Sequence, residues 1–101
     1  MSFIDEHAVE LTELAARHGV ARLELFGSAA GASFDPAHSD LDFLVVFNDA
    51  PPGGMAHAYF GLLEELENLF DRPVDLVTDR SIKNPYFRRS VDESRRPVYV
   101  A

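Results

Sequence analysis

The chain has 101 residues, a net charge of −8 and no cysteine. That length supports one compact domain burying roughly two thirds of its unfolded surface, so residues 1–101 are expected to form a single domain. Disulfides and thiolate zinc sites are excluded, a nucleic-acid partner is disfavoured by the acidic balance, and the longest apolar run, Phe43 to Phe47, is far too short to span a bilayer.

Ser2-Phe3-Ile4-Asp5 has the form of a capping box, and Ile4, Ala8, Leu11, Leu14, Ala15 and His18 recur at helical spacing up to Gly19, which predicts one first helix. Leu23-Glu24-Leu25-Phe26 reads as a short buried strand that turns at Gly27-Ser28. Leu41 to Phe47 is apolar except for Asp42 and reads as a central strand. Met55 and the Pro51 to Gly54 stretch read as a surface loop. Tyr59, Leu62, Leu63, Leu66, Leu69 and Phe70 mark a second helix, with Glu64, Glu65 and Glu67 on its wet side. Pro73 to Thr78 is the next strand. Asn84 as cap and Pro85 at the first helical position open a third helix to about Arg95, and Pro97 to Val100 adds a closing edge strand. Helices alternating with three or four short strands predict a small α/β (α+β) fold with a mixed sheet packed by helices.

Charge is unevenly spread. Residues 1–71 hold thirteen acids and two bases, net −11, whereas residues 72–101 hold four acids and seven bases, net +3. Arg80, Lys83, Arg88, Arg89, Arg95 and Arg96 are candidates to meet phosphates or an acidic partner, with a solvated helix surface as the equal alternative.

The chemistry resides in the Gly27-Ser28 turn and in three acids. A glycine-containing turn opening a helix exposes backbone N–H groups and the positive end of a helix dipole, which together bind phosphate. Asp40 and Asp42 fall on one side of an extended chain, and like charges about 5 Å apart repel by roughly 3 kcal/mol at an effective dielectric near 20. A divalent cation turns that repulsion into a site, since magnesium takes one or two carboxylates plus substrate phosphate. Asp75 lies between Val74 and Leu76 and is expected to be an acid inside an apolar strand, costly unless paired or metal-bound. These parts point to two-metal phosphoryl or nucleotidyl transfer.

The order Gly-Ser, spacer, Asp-x-Asp, later strand Asp resembles the DNA polymerase beta nucleotidyltransferase superfamily. Within it, Leu25-Phe26-Gly27-Ser28, Ser39-Asp40-Leu41-Asp42-Phe43-Leu44-Val45, Arg72-Pro73-Val74-Asp75-Leu76-Val77 and Asn84-Pro85-Tyr86-Phe87 are similar to the minimal nucleotidyltransferases called MntA. The resemblance implies the nucleotidyltransferase fold and a protein adenylyltransferase, and the lack of cysteine and of a membrane-length apolar run makes a soluble cytoplasmic protein the simplest expectation. The resemblance further implies an antitoxin that moves AMP from ATP to a tyrosine of a HEPN-type toxin. It also implies that Gly27 and Ser28 hold the triphosphate, that Asp40, Asp42 and Asp75 bind two Mg²⁺ ions, and that Asp75 handles the incoming hydroxyl. One departure stands out: the family's Gly-Ser-x-Ala-Arg-Gly becomes Gly27-Ser28-Ala29-Ala30-Gly31, so an arginine suited to polyphosphate is absent. A binding module that neutralises its toxin by occlusion, and a nucleotidyltransferase for a small acceptor, remain the alternatives.

Other residues invite plainer readings. His38 precedes Asp40 and is more simply a surface loop residue, and His7, His18 and His57 fit helix faces without zinc spacing. Tyr86 and Phe87 are expected in the core rather than in a base-stacking wall. Ser39 suits a turn cap.

Overall fold

The computed structural model describes residues 2–27 and 40–101. Ser28, Gly31, His38 and Ser39 lie outside the described residues, as do the side chains of Ser2 and Phe3 on which the capping box rests.

The first helical segment is two helices rather than one, α1 (Ser2–Asp5) and α2 (Ala8–Arg17). The His7 N–H donates to the Ile4 carbonyl at 3.0 Å, closing a tight turn that keeps Ile4 in the core. The His7 ring then packs edge-on against Phe70 with centroids 5.1 Å apart. Strand β1 (Val20–Phe26) begins earlier than its apolar run, because Gly19 at φ 71° turns the chain out of α2. Strand β2 (Leu41–Phe47) has the expected bounds. Met55 belongs to helix α3 (Met55–Phe70) and not to a loop. The Ala58 N–H donates to the Gly54 carbonyl, and Ala58, Leu62, Leu66 and Phe70 form one buried stripe at four-residue spacing. After β3 (Val74–Thr78) and a short 3₁₀ turn (Asp79–Ser81) comes α4 (Pro85–Ser94), whose Asn84 side chain accepts from the Tyr86 and Phe87 N–H groups as a cap should. Strand β4 (Arg96–Val100) closes the chain.

The four strands form one mixed sheet in the order β3-β2-β1-β4. β2 and β3 are parallel, joined by a crossover through α3, while β1 runs antiparallel to both neighbours. Strand alternation sorts the side chains. Leu23, Leu25, Leu41, Phe43, Val45, Val74 and Leu76 face α2 and α3 in the main core. Phe26 and Leu44 face the other way and pack with Val91 of α4, flanked by Val77 and Ile82.

The outer edge of β3 is closed by α3. Glu67 accepts from the Val74 N–H at 3.1 Å, and the Tyr59 hydroxyl donates to the Leu76 carbonyl at 2.5 Å. Glu67 is therefore structural rather than part of a wet face. Glu65 is too: it binds Arg17 at 2.5 Å and also pairs with His18 at the end of α2. The Arg17 hydrogen bond is the main cause holding the Glu65 carboxyl below its ordinary range, with His18 adding to it. A lowered folded pKa contributes stability above the ordinary glutamate value, and that contribution is lost as pH falls through the folded value. Glu65→Gln should therefore cost about 0.5–1 kcal/mol at neutral pH and nothing once wild-type Glu65 is protonated, which paired urea melts across the acid range would read.

A second network fastens α4. Glu24, 6% exposed in the middle of β1, receives Arg95 Nη2 at 2.6 Å and Arg22 Nε at 3.2 Å, while Arg95 also meets Asp92 at 2.7 Å. The bond to Glu24 is the main reason the Arg95 pKa is raised. Arg88 holds Asp79 at 2.7 Å. Arg95→Ala would leave the buried Glu24 carboxylate to the more exposed Arg22, and we expect a loss of about 2 kcal/mol in chemical denaturation.

Candidate active site

Asp42 and Asp75 are Cα partners on the parallel strands β2 and β3, neighbours about 4.8 Å apart in such a ladder. Both alternate onto the sheet face that α4 covers, beside Leu44 and Val77. Asp75 departs from the expected buried acid: it is exposed between buried Val74 and Leu76, since period-two alternation turns it to the opposite face from them. Asp40 is exposed and stands just before β2 rather than within it. Its charge nevertheless reaches the site. The Asp42 carboxyl is pushed above its ordinary range first by burial, then by Asp75 and then by Asp40.

On the far side of Asp42 lies β1, where Phe26 is its cross-strand partner and Gly27 follows. Gly27 has φ 70°, and a Cβ built there would stand 2.5 Å from Asp42 Oδ2. Only glycine leaves that oxygen its place. The Gly27 N–H is not free, contrary to expectation: it donates to Ser94 Oγ at 2.9 Å. The phosphate-facing role of Ser28 lies outside the described residues.

The donor set suits magnesium. Asp42, whose ionisation is opposed by burial, by Asp75 and by Asp40, gains from a cation. Among the described residues no group of three or more His, Cys, Asp or Glu side chains forms a metal cage by itself. Asp40, Asp42 and Asp75 are therefore not gathered into one three-acid cage.

The aromatic residues differ from expectation. Tyr86 is 82% exposed and Phe87 39%, because the capped first turn of α4 rises off the sheet. Phe87 still meets Phe26 edge-on at 5.9 Å, next to the carboxylates' neighbour on β1. Arg88 and Arg95 are committed to Asp79, Glu24 and Asp92, while Arg80 and Lys83 are exposed. A cleft of about 570 Å³ lies at the other ends of β2 and β3, lined by Phe47, Asn48, Asp49, Met55 and the Thr78 to Ser81 segment. It is remote in register from Asp42 and Asp75. The carboxylate chemistry, rather than the volume of that cleft, locates the site. Sequence reasoning missed Ser94 and the Glu24–Arg95 pair. The single acid inside the apolar run of β1 signalled a need for a partner without naming it.

The site is thus a mixed sheet presenting the in-register carboxylates Asp42 and Asp75 beside a left-handed glycine, Gly27. The Nucleotidyltransferase domain family profile matches residues 10–98, and the chain belongs to that family. "Putative protein adenylyltransferase MJ1379" of Methanocaldococcus jannaschii is 35% identical over 84 residues, 83% of this chain and 80% of that protein. A solved minimal nucleotidyltransferase superposes with a TM-score of 0.75 at 31% identity, covering 95% of this chain and 93% of that one. One chain from a complex of tri-AMPylated Shewanella oneidensis HEPN toxin with MNT antitoxin shares the fold, with a TM-score of 0.64 at 20% identity over 97% of this chain and 73% of that one. Among the described residues, no helix is long and apolar enough to cross a membrane.

Proposed function

We propose that this chain, as a single domain over residues 1–101, transfers AMP from ATP to a tyrosine hydroxyl of a HEPN-type partner toxin and so acts as its antitoxin. The observation that carries the reading is the registered pair Asp42 and Asp75, with Asp40 acting on Asp42 by charge and Gly27 packed against its carboxylate. Kinship with a chain from an antitoxin complex and with a protein named as an adenylyltransferase supports it.

In this mechanism Ser28 takes the triphosphate, while Gly27, whose N–H is held by Ser94, sets where the turn starts. Asp40, Asp42 and Asp75 would hold two magnesium ions, whose chemistry is to neutralise polyphosphate charge and ease ionisation of the hydroxyl. The tyrosine oxygen bonds to the α-phosphorus, the bond from that phosphorus to the bridging oxygen of the β-phosphate breaks, and pyrophosphate carries off the electron pair. The exposed Asp75 carboxylate orients the hydroxyl and accepts its proton.

The test combines the purified chain, ATP, magnesium and the product of its neighbouring gene, with a HEPN-type protein as the expected identity of that product. Gain of AMP mass on a tyrosine of the partner supports the reading. A stable complex without that gain moves the assignment to occlusion, the alternative that the Gly31 substitution favours.

A further inference from the structure

We infer that Ser94, at the last turn of α4, is a positioning residue that fixes the nucleotide turn at Gly27; the inference rests on the nucleotidyltransferase reading above. Its hydroxyl oxygen accepts the Gly27 N–H at 2.9 Å across 67 residues of sequence. The hydroxyl proton has its own acceptors in the helix, the Ser90 carbonyl at 3.3 Å and the Val91 carbonyl at 3.5 Å. With the proton turned back into α4, a lone pair faces Gly27.

The helix that carries Ser94 is held at several points. Val91 is fully buried against Phe26 and Leu44. Arg95, the next residue, is forked onto Glu24 of β1, and Arg88 holds Asp79. Ser94 is thus a fixed point on a braced element, and Gly27 hangs from it at the end of β1. The same glycine is the one whose missing side chain makes room for Asp42 Oδ2. Through Gly27, Ser94 sets both the start of the phosphate turn and the space around a metal-binding carboxylate. The Gly27 amide is accordingly a pivot and not a phosphate ligand.

The experiment compares full-length wild type, Ser94→Ala and Ser94→Thr by NMR amide exchange at Gly27, magnesium-ATP titration and steady-state AMP transfer. Ser94→Ala should speed Gly27 exchange and raise the dissociation constant and KM for ATP by about tenfold, the cost of losing one partly buried hydrogen bond. The KM for the acceptor protein and the exchange of amides elsewhere in α4 should stay near wild type. Ser94→Thr, which keeps the hydroxyl, should restore both ATP values. Unchanged Gly27 exchange and unchanged ATP affinity in Ser94→Ala would overturn the inference, as would a general loosening of α4 that threonine fails to repair. Wild type that transfers no AMP yet binds magnesium-ATP would sink the catalytic reading alone, because exchange and titration would still report on Ser94.

Discussion

Asp42→Asn should lower AMP transfer by on the order of a thousandfold while leaving a protein at least as stable as wild type. The loss follows from removing a carboxylate at the centre of the site, where charge stabilisation of a transferring phosphoryl group is worth several kcal/mol and each 1.36 kcal/mol is about tenfold in rate. The stability gain follows from the opposite sign of the same charge in the ligand-free protein. Burial, Asp75 and Asp40 all oppose ionisation of Asp42, so a neutral isostere relieves a cost that the folded chain bears. Two measurements separate these effects: single-turnover transfer, and thermal melts with and without magnesium. Magnesium should raise the midpoint of wild type and leave that of Asp42→Asn nearly unmoved. A variant that keeps the wild-type rate, or the same magnesium response, removes Asp42 from the site.

Gly27→Ala should be nearly as damaging to transfer, and it should cost stability as well. The backbone at φ 70° disfavours any side chain by roughly 1 kcal/mol, and the added methyl would stand 2.5 Å from Asp42 Oδ2, inside contact distance. Either the carboxylate swings away or the turn shifts, and each breaks the relation between the two. We expect at least a hundredfold lower transfer, since small misplacements of reacting groups cost that much, together with a loss of about 1–3 kcal/mol in denaturation. Equal losses in magnesium-ATP affinity and rate would locate the damage at the turn. Wild-type kinetics in this variant would show that Gly27 does not shape the site.

Features carried by short-range pattern were legible in the sequence. β2 could be bounded because Asp42 is the lone acid in an otherwise apolar run that ends at Asn48-Asp49, and the Asn84-Pro85 start of α4 could be read because capping is local chemistry. Asp75 reads as a buried acid for an equally local reason: Val74 and Leu76 look like its surroundings, whereas alternation puts them on the opposite face. Periodicity carried α1 and α2 as one helix because the His7 turn preserves the apolar spacing while breaking the helical hydrogen bonds. Tyr86 reads as core by composition, yet its place in the first turn lifts it into solvent. The contacts that decide the site, Ser94 on Gly27 and Arg95 on Glu24, each span about 70 residues and have no signature in either segment alone.

Tyr59 and Glu67 carry a consequence for how any client is captured. By occupying the Leu76 carbonyl and the Val74 N–H, they close those two groups on the outer edge of β3, the strand that carries Asp75. At the opposite flank Pro97 withholds a donor from β4. An extended segment therefore cannot pair onto β3 at those two positions, and on the proposed function a protein acceptor would be expected to approach over the face of the sheet.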